Sequence, residues 1–269
     1  MPKASINGIE LYYESHGEGP AIVFAHGAGG NHISWWQQVP LFSQEYRCIT
    51  FDHRGWGASV EPQYSLIGPG ASAFVEDVRQ LLDHLGVEKT FLVSQSMGGR
   101  ACLGFALAYP ERTLGLVLGD TTGGVSDPEV LKARSAGAPS ADINQRFFLA
   151  SFNQRHPDRA FLYNQIRLLN PQRPVDNTPA QVREQNGPQA SDLSCLASVP
   201  TLLIVGEEDP ICPVPAMQAL QRLIPNSRLE VVPGAAHSTY FEQPEAFNKL
   251  VAEFFTRVLT GTAIVAAGD

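Results

Sequence analysis

The sequence predicts an α/β protein: a mostly parallel, doubly wound sheet interrupted by an inserted helical cap. Three observations carry that expectation. Apolar runs of strand length lie at 21–25, 48–51, 91–93, 114–118, 201–205 and 229–232, most without polar alternation, as in strands covered on both faces. Helical periodicity falls between them, and strand alternating with helix selects parallel pairing through right-handed crossovers. The alternation fails once, between Gly123 and about Asp192, where segments rich in Asn, Gln, Arg and Pro carry no strand pattern.

The elements follow in order. Asn7-Gly8 separates two short strand patterns, a strong local signal for a tight antiparallel hairpin. The run 21–25 leads into His26-Gly27-Ala28-Gly29-Gly30, and Trp35 and Trp36 follow. Adjacent positions on a helix point about 100° apart, so one tryptophan faces the core and the other lines a pocket mouth or packs on the surface. Residues 72–85 place Phe74, Val75, Val78, Leu81, Leu82 and Leu85 on one helical face, and Gly86 ends it. A second helix spans 97–109 and stops before Pro110. In the insertion, Phe147, Phe148, Phe152, Phe161, Tyr163, Ile166, Leu168 and Leu169 supply the apolar faces. The expected organisation is a core of 1–122 and 192–259, a cap of 123–191, and a frayed tail of 260–269.

A chain of 269 residues with 43% hydrophobic and 17% charged residues fits one globular domain. No run of 18 apolar residues exists to cross a bilayer, and the N-terminal stretch lacks the apolar centre of a secretory signal. The expectation is a cytoplasmic protein with no membrane partner. A formal charge of −8 disfavours nucleic acid. Cys48, Cys102, Cys195 and Cys212 are scattered without metal-ligand spacing, so neither a metal nor a disulfide framework is expected. Cys48 and Cys102 read as small core residues.

Ser96 sits where the strand 91–93 turns into a helix, with Ser94 and Gly98 two positions to either side. Small flanking residues permit the sharp turn of a nucleophile elbow, here with serine in place of the usual first glycine. The plain alternative is a helix N-cap. Asp209 follows the strand 201–205 in Gly206-Glu207-Glu208-Asp209-Pro210, and His237 follows 229–232 in Pro233-Gly234-Ala235-Ala236-His237. Loops after parallel strands gather at one sheet edge, so the three can converge. Glu207 and Glu208 adjoin Asp209, and Asp120, after the strand 114–118, is the competing acid. Of the other histidines, His16, His32, His53, His84 and His156 sit where surface or loop roles suffice.

The order Ser, acid, His, together with His26 to Gly30, Asp52-His53-Arg54-Gly55-Trp56-Gly57-Ala58-Ser59, Gly206 to Pro213 and Gly234 to Glu242, resembles the α/β-hydrolase superfamily over nearly the whole chain. The resemblance implies Ser96 as nucleophile, His237 as base, Asp209 as its orienting acid, and the backbone N–H groups of Ala28 and Met97 as the oxyanion hole. It assigns His26 to bracing the loop after the third strand. Serine at position 96 argues against the dehalogenase and epoxide hydrolase branches, which need a carboxylate nucleophile. Among serine branches the chain resembles small bacterial carboxylesterases, enol-lactonases, cofactor-free perhydrolases and meta-cleavage carbon–carbon bond hydrolases. The expected function is therefore a serine hydrolase cleaving a small ester or lactone through an acyl-enzyme, with no cofactor, acting as a monomer or homo-oligomer. Carbon–carbon bond hydrolysis, perhydrolysis and a small-molecule receptor with a retained triad remain alternatives. Gly27, Trp35, Gln95, Phe147, Phe148, Phe152 and Tyr240 are the candidate pocket residues, with Phe161, Tyr163 and Phe241 as further rings.

Overall fold

The computed structural model describes residues 2–59, 70–137, 144–171 and 187–262. Strands β1 (Lys3–Ile6), β2 (Ile9–His16), β3 (Ala21–Ala25), β4 (Arg47–Phe51), β5 (Thr90–Gln95), β6 (Thr113–Gly119), β7 (Thr201–Gly206) and β8 (Ser227–Val232) form one sheet in the order β1-β2-β4-β3-β5-β6-β7-β8. The first two pairings are antiparallel and the rest parallel. Asn7 and Gly8 take φ of 44° and 79°, the left-handed pair that a two-residue hairpin needs to match strand twist. Each central strand divides its side chains between two cores. Val23, Leu92, Leu116 and Leu203 face one side, and Ile22, Phe24, Val93, Val117 and Ile204 the other.

Helices α1 (Val39–Phe42), α2 (Gly70–His84), α3 (Gly98–Ala108), α4 (Pro128–Ser135), α5 (Asn144–Phe147), α6 (Ala150–Arg155), α7 (Pro157–Leu168), α8 (Val214–Leu223), α9 (Thr239–Glu242) and α10 (Pro244–Leu259) cover the sheet and build the insertion. Helix α2 lays Val78, Leu81 and Leu82 on the first core, and Gly86 at φ 64° follows it in a left-handed turn. Helix α10 lays Phe247, Val251, Phe254 and Phe255 on the second. The loop after β4 is fixed by its charges: Asp52 accepts from the N–H groups of His32 (2.7 Å) and Ala58 (2.8 Å), and Arg54 forms a buried ion pair with Asp77 of α2.

Among the described residues, 123–191 contains helices and no strand. The insertion is tied to the loop after β3 by polar side chains: Asn31 Nδ2 donates to Ile166 O (2.9 Å), and Asn170 Nδ2 to Gly30 O (3.1 Å). One expectation fails here. Phe161 and Leu168 are 65% and 74% exposed, because α7 turns Tyr163 and Ile166 inward and a step of two residues from either reaches the opposite face; Leu169, just past the helix end, is 59% exposed. The interior of the expected cap at 138–143 and 172–186, and 263–269 of the expected tail, lie outside the described residues. No described helix is long and apolar enough to cross a membrane.

Candidate active site

Ser96 stands between β5 and α3 with φ 49°, a left-handed conformation that costs a non-glycine residue energy and recurs where a side chain must be presented. Its N–H donates to Gly119 O (3.0 Å), and its carbonyl accepts from Gly99 N (2.9 Å) as the helix begins. Glycine at 98 is required, since a Cβ there would run into Ala25 O. Position 94 tolerates serine because its hydroxyl donates sideways to Val117 O at 2.9 Å, within the sheet.

Three loops bring the candidate side chains into one line. His237 Nε2 lies 2.8 Å from Ser96 Oγ, and His237 Nδ1 lies 3.0 and 2.9 Å from the two carboxylate oxygens of Asp209. Asp209 Oδ1 also accepts from the N–H groups of Ile211 (2.8 Å) and Cys212 (2.9 Å), which fixes the carboxylate plane. Asp209 and His237 are buried, whereas Ser96 and Met97 retain partial exposure. Burial alone would lower the imidazole pKa. The charge of Asp209 and its hydrogen bond outweigh that, with Asp120 adding to them, and leave His237 raised above its ordinary value. Asp120 makes no bond to the imidazole; both of its oxygens are engaged by Gly206 and Thr239.

The loop after β3 is held from behind. His53 N–H donates to His26 Nε2 (3.0 Å), which leaves the proton on Nδ1 to donate to Gly27 O (2.8 Å). Gly30 N–H also donates to Gly27 O at 3.0 Å. A trans peptide points its C=O and N–H in opposite directions, so pinning Gly27 O aims Ala28 N–H away from His26. Trp56 Nε1 fixes the next carbonyl, Ala28 O, at 2.9 Å. His53, in the loop after β4, is buried, its ring packed edge-on to His26 and Phe51 and tilted against Phe74.

The candidate pocket residues divide. Phe147 approaches the site, its ring 6.3 Å from that of His237 and 5.6 Å from that of Tyr163. The Tyr163 hydroxyl abuts Gly29, where a Cβ would lie 2.7 Å from it. Phe148 sits one layer behind, packed on Phe152, Tyr163 and Phe241. Gly27 leaves room for the Gln95 side chain, which a Cβ at 27 would strike. Gln95 is buried, and its Nε2 donates to His237 O at 2.7 Å. Trp35, Phe152 and Tyr240 are each almost wholly enclosed, Trp35 between Phe24 and Tyr240, in the core cluster shared by the sheet, the insertion and α10. The partly exposed tryptophan is Trp36, set edge-on to Phe241.

Sequence spacing pointed to no metal group, yet folding brings donor atoms of Asp209, Cys212 and His237 within 4.8 Å of one another. In the structure Asp209 Oδ1 is already engaged by the amides of Ile211 and Cys212 and by the imidazole, and burial, then the charge of Asp209, push the Cys212 thiol up. Glu242 was missed in the sequence. Its Oε1 accepts from Ala236 N (2.7 Å), next to His237, and its Oε2 from Leu149 N (2.9 Å), at the start of α6. Burial pushes its carboxyl up to about 8. The available signal was its place five residues beyond the histidine, where a charged side chain follows Tyr240-Phe241.

Comparison with known proteins agrees with this architecture. The chain is 30% identical to a putative 2-succinyl-6-hydroxy-2,4-cyclohexadiene-1-carboxylate synthase of Bacillus subtilis, covering 90% of this chain and 93% of that one. It is 28% identical to 3-oxoadipate enol-lactonase 2 of Acinetobacter baylyi, over 93% and 94% of the two chains. A thermophilic esterase from Thermogutta terrifontis superposes with a TM-score of 0.74 at 29% identity, over 93% and 94%. The family described as alpha/beta hydrolase fold matches residues 20–244, a span that runs from the start of β3 past the histidine loop, and the chain belongs to that family.

Proposed function

We propose that this protein is a serine hydrolase that cleaves a small ester or lactone through an acyl-enzyme intermediate. The observation that carries the reading is the 2.8 Å approach of His237 Nε2 to Ser96 Oγ, with Asp209 on the far side of the same ring. Asp209 accepts from Nδ1–H, which leaves Nε2 unprotonated and able to take the serine proton. Ser96 Oγ attacks the carbonyl carbon as its proton passes to Nε2. The tetrahedral oxyanion forms beside the Met97 amide at the start of α3, where the helix leaves N–H groups without intrahelical partners, and beside Ala28 N–H. The imidazolium returns the proton to the departing alcohol oxygen. Water then repeats the sequence on the acyl-enzyme, releasing the acid and restoring Ser96. The protein contributes side chains and backbone amides to each step.

The test is Ser96→Ala, assayed with p-nitrophenyl acetate and with a fluorophosphonate followed by mass spectrometry. The parent is expected to gain one phosphonyl adduct on Ser96, and the variant to lose the adduct and roughly 10⁴- to 10⁶-fold in kcat. Turnover by the alanine variant within about tenfold of the parent would refute the mechanism.

A further inference from the structure

We propose that Asp120 is a positioning residue, which locks the loop carrying Asp209 to the loop carrying His237 and holds a second carboxyl behind the imidazole. The inference rests on the serine-hydrolase reading. Asp120 follows β6 with φ 50°, a left-handed conformation matched at the sheet's active edge by Ser96 at 49°. Its N–H donates to Ile204 O at 2.8 Å. Its Oδ1 accepts from Gly206 N (3.1 Å), where β7 leads toward Asp209, and from Thr239 Oγ1 (2.7 Å); its Oδ2 accepts from Thr239 N (2.9 Å), just beyond His237. One buried side chain thus grips the backbone on both sides of the hydrogen bond that orients the imidazole. A strained residue with every oxygen committed to those two loops fits a role in their alignment.

The surroundings favour an electrostatic effect as well. Burial, then the charge of Asp209, push Asp120 up to about 7, opposed by His237 and by the bonds from Thr239. Among the described residues, the charged and titratable groups around His237 are Asp209, Asp120 and Arg134 of α4, with the buried Cys212 thiol beside Asp209, Tyr163 of α7, and Glu242 of α9 bonded at Ala236. Of these, Asp209 and Asp120 raise the imidazole and Arg134 lowers it.

The test compares the parent, Asp120→Asn and Thr239→Val in the full chain. Active sites are counted by the burst with diethyl p-nitrophenyl phosphate, and kcat per counted site is measured on p-nitrophenyl acetate. The His237 titration is followed separately by NMR at its ring Cε1–H, a readout that needs no turnover. For Asp120→Asn we expect kcat per site to fall about 10- to 100-fold with KM nearly unchanged. The His237 pKa and the acid limb of kcat/KM are expected to move down by roughly one pH unit. Thr239→Val should move both readouts in the same direction by less. A merely structural aspartate would lower Tm and the number of active sites while leaving kcat per site and the histidine titration in place, and either readout unchanged in folded Asp120→Asn overturns the proposal. If that variant does not fold, Thr239→Val decides on the same two readouts. Persistent turnover in Ser96→Ala would sink the hydrolase reading instead, and the NMR titration separates the two failures.

Discussion

At the scale of single residues, the site depends on which atoms are already engaged. Asp209 gives Oδ1 to two amides and both oxygens to His237 Nδ1, so its charge stays oriented on the imidazole. Asp209→Asn keeps the shape but presents an amide that can stabilise the wrong tautomer. We expect kcat on p-nitrophenyl acetate to fall about 10⁴-fold with a small change in KM. A loss smaller than that of Asp120→Asn, measured side by side, would show that the orienting acid had been misassigned. Under the proposed mechanism the imidazole also sets the pH dependence. Its pKa is raised above 6.5, and only its neutral form can accept the serine proton. The acid limb of kcat/KM is therefore expected above pH 6.5, rising with pH through the folded-state value. A limb lying at or below the ordinary histidine value would contradict the assigned charge environment.

At the scale of elements, the helices of the insertion and the histidine loop share one aromatic cluster. Phe148 and Tyr163 meet Phe241 of α9 at 5.4 and 5.2 Å, and Phe147 faces His237 from α5. Glu242 bridges the same two elements through Leu149 N and Ala236 N. Packed rings over a nucleophile bury a compact acyl group well and leave little apolar channel for a long chain. We expect kcat/KM for p-nitrophenyl acetate and butyrate to exceed that for the laurate and palmitate esters by about tenfold or more, in line with the about 0.8 kcal/mol per methylene that is not recovered when a chain stays in water. A higher value for the long esters would show an open lipid groove beneath the cap. Phe161, Leu168 and Leu169 stand exposed and apart from that cluster.

At the scale of the whole molecule, buried carboxyl groups shape stability. Asp120 is raised from 3.8 to about 7 and Glu242 from 4.5 to about 8, so the folded chain holds protons that the unfolded chain has released. Stability from these groups is complete below their unfolded values and is lost as pH rises through the folded ones. His237, also raised, acts in the same direction. Asp52 and Glu14 are lowered, and their contribution disappears only in acid. Tm is therefore expected to decline between about pH 5 and pH 8, by roughly 2–4 °C for each kcal/mol lost, and Glu242→Gln is expected to flatten the decline. A Tm that rises across that interval, or a slope unaltered in the variant, would contradict the burial of these carboxyl groups.

The sequence by itself determined the parallel sheet, the hairpin at Asn7-Gly8 and the turn at Ser96, because these follow from local rules: apolar runs for strands buried on both faces, left-handed backbone at a two-residue turn, and small residues where chain crosses chain. Strand-end loops gather on one edge by topology alone, so the meeting of Ser96, Asp209 and His237 was legible from spacing. The sequence could not separate rings that roof a site from rings that fill a seam. Trp35, Phe152 and Tyr240 are enclosed while Phe147 lies beside His237, and the packing of the insertion against the histidine loop decided that difference. Nor could it find the bonds made by Glu242, Gln95 and Asp120, whose partners lie 93, 142 and 119 positions away in the chain. A buried polar group takes whatever donor or acceptor folding brings within reach, and that pairing is a property of tertiary structure.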